Sequence, residues 1–144
     1  MKYWILKCNP DYYRLDERLA DPEPRITWSI SRYRDDVHAY DMAFIWETGK
    51  RRGIRATIRI DSEPQEMPEL ESEVKYQTTP DTSLAWRVYA TILLRDLHVS
   101  ADKLRAVPGL EALSVFHGYR QSTVYPVSDD EAAILLRLIE DETA

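Results

Sequence analysis

Cysteine and glycine are scarce in this chain: one cysteine, Cys8, and four glycines in 144 residues. A single cysteine excludes an internal disulfide and a cysteine-rich zinc site. Four glycines leave no glycine-rich loop to cradle a phosphate. The three histidines, His38, His98 and His117, stand far apart, with no spacing that would seat a metal. Long apolar runs are also missing. None approaches the roughly 20 residues that a membrane span needs. No basic, apolar and small-residue succession opens the chain, so no signal peptide is expected, and the expected compartment is the cytoplasm.

What remains is a soluble, globular composition, with 44% hydrophobic and 31% charged residues. The length suits one domain, expected to span residues 1–144. Net charge is −6, unlike most proteins that grip long duplexes by neutralising phosphates. The charge is segregated, however. Lys50, Arg51, Arg52, Arg55 and Arg59 share a stretch without an acid. Asp61, Glu63, Glu66, Glu69, Glu71 and Glu73 follow without a base. Either a local basic face exists, or the two stretches pair with each other.

Periodicity places the elements. Tyr3–Lys7 reads as a strand and Asp11–Leu19 as a short helix, ended by Asp21-Pro-Glu-Pro. Met42–Trp46 is apolar enough to be buried on both faces. After the Glu47-Thr-Gly-Lys turn, Ile54, Ala56, Ile58 and Ile60 alternate with Arg55, Thr57 and Arg59, which predicts a hairpin with a solvent-facing basic side. Residues 61–83 read as a long loop and Trp86–Leu94 as the longest strand. Ser100 caps a short helix to Arg105; Leu110–Phe116 fits either type of element; Gln121–Val127 reads as a last strand. Ser128-Asp-Asp-Glu131 is a capping box opening a helix to about Glu140. Strands without βαβ alternation, plus short helices, predict a small α+β barrel.

Enzyme signatures are missing. Adjacent acids such as Asp35-Asp36 do not aim two carboxylates at one substrate, and Cys8 reads as a packing residue. The tryptophans carry more. Trp28, in Ile-Thr-Trp-Ser, and Trp46, at a strand end, either line a pocket that stacks a flat ligand or plug the end of a barrel.

Several segments, in order, resemble one family. "YWILKCNP" resembles the opening of EVE domains, and "TWSISRY" their Trp-x-x-Val-Arg-Asn-Tyr segment. "YDMAFIWETGKRRGIRATIRI" resembles their central hairpin, "AWRVYATILLRDL" the Trp-led strand, and "STVYPVSDDEAAILL" the closing strand and capped helix. The chain departs from the family at Ile30-Ser-Arg-Tyr, where the expected pocket asparagine is missing, and at Tyr40, where a glycine is usual.

The resemblance implies a PUA-like α+β fold: a small mixed barrel of five or six strands with short flanking helices. It also implies a concave aromatic pocket for a flipped, modified nucleobase, as in the similar YTH domains. On that basis Trp28 would stack the base, while Asn9 and the Ser29 backbone would bond its edge. Lys7 or Arg32 would meet a phosphate, with Trp46 and Trp86 as further pocket candidates and Tyr76 on a lid. Lys50, Arg51, Arg52 and Arg55 would form a basic rim. The implied partner is DNA or RNA carrying a modified base, with no cofactor, metal or membrane. Two alternatives remain: a related amidohydrolase of the ASCH type, using Lys7, Thr27 and Glu47, and a protein-interaction scaffold.

Overall fold

A computed structural model describes residues 1–118 and 122–144. The elements run β1 (Tyr3–Cys8), α1 (Leu15–Ala20), β2 (Arg25–Ser29), β3 (Met42–Glu47), β4 (Gly53–Ile60), β5 (Gln65–Met67) and α2 (Glu71–Val74). They continue with β6 (Ala85–Leu94), β7 (Val99–Ser100), α3 (Ala101–Arg105), α4 (Ser114–His117), β8 (Val124–Val127) and α5 (Asp129–Thr143). The predicted start of the last strand, Gln121, lies outside the described residues.

The eight strands form one sheet in the order β2-β6-β4-β3-β1-β8, with β5 on β6 and β7 on β4. Among the described residues, only β1 and β3 pair in parallel. Strand alternation sends Trp4, Leu6 and Cys8 to one face and Ile5 to the other. On the first face a single cluster joins Ile26 and Trp28 of β2 to Val124 of β8, the two ends of the sheet, so the sheet curls on itself. It does not close: among the described residues no ladder joins β2 to β8. A side-chain bridge spans the gap instead, with Ser31 Oγ 2.8 Å from Thr123 Oγ1. The α+β, PUA-like architecture thus has more strands than expected and an open seam. The second face packs on α3 and α5 through Leu104, Leu135 and Ile139. The α5 helix opens with the predicted capping box, Glu131 N–H donating to Ser128 Oγ at 3.1 Å and Ser128 N–H to Glu131 Oε1 at 3.0 Å.

The hairpin of β3 and β4 forms as expected, but of its basic side only Arg59 faces solvent; Arg55 and Thr57 are buried. A bulge lets Trp46 pair with Ile54 and Ile45 with Ala56, leaving Arg55 as the extra residue. Ile54 therefore joins the second face while Ala56, Ile58 and Ile60 stay on the first. With β4 in the interior of the sheet, Arg55 is buried, its guanidinium donating to Glu47, to Asp16 Oδ1 at 2.6 Å and to the Leu97 carbonyl at 3.1 Å. Arg55 is thus not a rim residue.

Segment 61–83 is not a structureless loop. β5 pairs with β6, and Glu73 of α2 accepts from Arg18 of α1 at 2.8 Å with both side chains buried. Nor is Tyr76 a lid: it is buried, packs 6.4 Å from the Tyr13 ring and donates to Asp21 Oδ2 at 2.5 Å. Polar composition disguised these contacts, because the acids are anchored by ion pairs instead of apolar packing. The acidic and basic stretches mostly find partners elsewhere. Arg59 with Asp61, at 2.8 Å, is the pair that joins them among the described residues. No described helix is long and apolar enough to cross a membrane.

Candidate nucleic-acid interface

β1 and β3 end side by side, and the chain leaves both through tight turns. After β1, Asp11 N–H donates to Asn9 Oδ1 at 2.9 Å, and Tyr12 and Tyr13 N–H donate to the Asn9 carbonyl. This asparagine turn delays α1 to Leu15 and fixes the side-chain oxygen of Asn9 in place. After β3, Thr48 N–H donates to the Cys8 carbonyl at 3.0 Å, and Gly49 takes a φ of 91°, in the region that favours glycine.

A cavity of about 1060 Å³ opens between these turns, the end of α3, α4 and the approach to β8. It is of a size to take a small ligand or a nucleotide. Its cationic lining comes from Lys7, Arg52 and Arg105, and its aromatic lining from Tyr12, Trp46 and Phe116. Asn9, Thr48, His117, Ser122 and Thr123 add polar groups. No carboxylate is among the described lining residues. In a chain of net charge −6 this is a local reversal of sign.

The lining is held by its own contacts. Trp46 is buried and meets the half-buried Phe116 edge-to-face, with centroids 5.8 Å apart. The Arg105 guanidinium lies 4.7 Å from the Phe116 ring centroid, and Lys7 Nζ 4.9 Å from that of Tyr125. His117 Nε2 is 2.7 Å from the Glu111 carbonyl, which fixes the proton on that nitrogen. Burial, aided by nearby Glu47, pushes the Cys8 thiol up to about 12, so it stays protonated and acts as packing.

The cavity brings together Lys7, Asn9, Trp46 and Arg52 from the sequence-predicted set. Lys50 and Arg51 are exposed on the adjoining turn, Arg51 pairing with Asp16 at 2.9 Å. Trp28 does not line it. Its indole is buried in the first-face cluster, edge-on to Tyr13 at 5.7 Å, so it supports the fold from behind. Ser29 is exposed at the end of β2, opposite Arg87 in the ladder. Arg32 lies 5.8 Å from the Tyr33 ring, beyond the Ser31–Thr123 bridge. Trp86 is 38% exposed under the Arg34 guanidinium, 4.4 Å away, and is not in the cavity lining.

Tyr12, Arg105, Phe116 and His117 escaped the sequence. Arg105 looked like an ordinary surface residue on a short helix, and Phe116 lay in the stretch whose element type the periodicity left open. The three amidohydrolase candidates are not assembled. Thr27 donates to buried Glu69, Glu47 is held by Arg55, and Lys7 lies on the opposite face from Glu47. Among the described residues, no group of three or more histidines, cysteines or acids is placed to hold a metal.

The EVE domain model matches residues 2–138, nearly the whole chain. The chain belongs to the EVE domain family. This EVE domain shares its fold with a hypothetical protein from Leishmania major at 20% identity and a TM-score of 0.74, covering 100% of this chain and 98% of the other. It is similar to human THYN1, solved in complex with 5-methylcytosine-containing DNA, at 15% identity and a TM-score of 0.68, covering 97% and 98%. It is also similar to the YTH domain-containing protein mmi1, solved with RNA, at 14% identity and a TM-score of 0.62, covering 96% and 80%. No curated protein matches this EVE domain.

Proposed function

We propose that this protein binds nucleic acid and takes one nucleotide, drawn out of its strand and carrying a modified base, into the cavity beside β1 and β3. The observation that carries this is the carboxylate-free lining: three cations and three aromatic rings around one opening in an acidic protein. Cations collected around a concave site with low-dielectric walls focus the field on an anionic ligand. Extruding a base costs a few kcal/mol, and each aromatic contact returns about 1–3 kcal/mol. Asn9 offers its amide nitrogen to a base edge, because its oxygen already accepts the Asp11 N–H. The DNA and RNA held by THYN1 and mmi1, which share this fold, support the same class of ligand. A pocket that holds one nucleotide needs few phosphate contacts, which is compatible with net acidity.

The test is fluorescence anisotropy with single-stranded DNA and RNA oligonucleotides, each with and without a methylated base. Saturable binding that favours a methylated member supports the proposal. A folded protein that binds no member of the panel overturns it.

A further inference from the structure

A second, smaller hollow of about 390 Å³ shares Gly49, Arg52 and Arg105 with the cavity. Its remaining charge comes from Lys50, Arg51 and one acid, Asp102, with His98 beside them. Two remote segments, the turn after β3 and the start of α3, build it together. Gly53 makes this possible: its φ is 154°, and a Cβ there would stand 2.3 Å from the Val99 carbonyl oxygen. That close approach lets Gly53 pair with Ser100 and Ile54 with Val99. It also lets Ala101 N–H donate to the Arg52 carbonyl at 2.9 Å. The basic turn is thereby clamped against His98, whose Nε2 lies 3.0 Å from the Arg51 carbonyl. Arg52 and Arg105 then stand on the divide between the two concavities.

Resting on the function proposed above, we infer that the strand continues from the cavity over the Arg52–Arg105 divide, and that its next phosphate lies in the hollow against Lys50 and His98. The ligand is then a stretch of single-stranded nucleic acid and not a free nucleoside or mononucleotide. Three features favour a phosphate there. The hollow adjoins the nucleotide cavity without a break, since both are lined by the same two arginines. Its described lining carries four cations, Lys50, Arg51, Arg52 and Arg105, against the single acid Asp102. Its described lining also lacks Phe, Tyr and Trp, so it offers a base less stacking surface than the cavity does. Arg51 is held by Asp16, which leaves Lys50 and Arg52 as the cations on the turn that reach a ligand without giving up a carboxylate among the described residues.

The experiment compares the preferred modified nucleoside monophosphate with a short single-stranded oligonucleotide carrying the same nucleotide, on the intact chain and on Lys50→Glu and His98→Gln. Calorimetry and anisotropy give the affinities at several salt concentrations. The oligonucleotide is expected to bind the intact chain at least tenfold more tightly than the monophosphate. Lys50→Glu is expected to weaken the oligonucleotide alone and to reduce its salt slope by about 0.7, the value of one single-strand phosphate contact. His98→Gln is expected to weaken it less than Lys50→Glu does. Equal affinity for both ligands, or an unchanged oligonucleotide affinity in Lys50→Glu, overturns this inference while leaving the cavity assignment intact. Absence of binding by either ligand overturns both.

Discussion

Lys7 and Trp46 are partners in the parallel ladder of β1 and β3, and both side chains reach the same cavity. One is a cation on the opening and the other a buried indole, although the strands carrying them begin 39 residues apart, at Tyr3 and Met42. The ladder register therefore sets the distance between charge and aromatic surface. A one-residue slip of either strand would send its own side chain to the opposite face of the sheet and part the two.

The cavity cations are the direct means of testing the site. Arg52 is exposed, so Arg52→Glu is expected to change stability by only about 0.5 kcal/mol. It is expected to weaken oligonucleotide binding about tenfold or more, the scale of one lost charge-assisted hydrogen bond. With the three cavity cations and Lys50 in contact, the intact chain should show a log–log salt slope of about −3 on a single strand. Anisotropy titrations across salt, beside a denaturant melt, check both values. Binding that ignores salt and Arg52→Glu alike would remove the cavity from the ligand's path.

Trp28 makes a different prediction from the stacking role that its family position implies. Buried against Tyr13, its indole fills core volume. Trp28→Ala is expected to cost about 3–5 kcal/mol of stability, like other large aromatic truncations. Trp28→Phe keeps an aromatic ring in the core and is expected to retain ligand affinity within about threefold, well under the 1.4 kcal/mol of a tenfold change. Urea melts and binding titrations on both variants check this. A stable Trp28→Phe protein that cannot bind would restore the indole as a ligand contact.

Much of the fold could be read from the chain because local signals agreed with the final structure. The apolar run of "YWILKC", the Ser128–Glu131 capping box and the apolar Met42–Trp46 run each became the predicted element. Arg55 was misplaced because a bulge is a pairing feature: nothing in Ile54–Ile60 shows that one residue will be skipped by the opposite strand. Of the cavity lining, Lys7, Asn9, Trp46 and Arg52 were singled out in the sequence, and they lie at the ends of β1 and β3 and on the turn that follows. Arg105 and Phe116 were not, because they arrive from helices that only tertiary packing brings over that end. The indole of Trp28 faces the core because β2 lies at the sheet edge and curls over the first face, a placement that alternation alone does not fix.

Arg18 and Glu73 tie α1 to the 61–83 segment through a fully buried pair, reinforced by Tyr13 Oη donating to Glu73 Oε1 at 3.0 Å. Burial pushes the Glu73 carboxyl up, against the opposing pull of Arg18. Removing one partner leaves the other charge buried. Glu73→Ala is therefore expected to cost about 3–5 kcal/mol, while an Arg18→Met, Glu73→Leu double variant should recover most of that loss. Chemical denaturation of the single and double variants measures the coupling. Hydrogen exchange should show Val74–Gln77 losing protection first in Glu73→Ala. A single variant as stable as the intact chain would show that the pair is not what holds the segment.

His38 gives the fold a pH dependence on the alkaline side. Its Nδ1 lies 2.6 Å from Glu63 Oε1, and the same carboxylate accepts Ala39 N–H at 2.6 Å. The Glu63 hydrogen bond raises the imidazole above its ordinary 6.5, and the same bond lowers Glu63 below 4.5. The two shifts bound one window. A raised histidine stabilises the fold fully below 6.5 and loses that contribution as pH climbs through its higher folded value. A lowered carboxyl contributes above 4.5 and loses its share as pH falls through its depressed folded value. The clasp between the β2–β3 connection and residue 63 is thus strongest in mildly acid to near-neutral solution. A nuclear magnetic resonance titration should find His38 titrating above 6.5 and Glu63 below 4.5. His38→Ala should return Glu63 most of the way towards 4.5 and flatten the alkaline limb of stability against pH. A His38 that titrates at its ordinary value would show that the pair does not persist in solution.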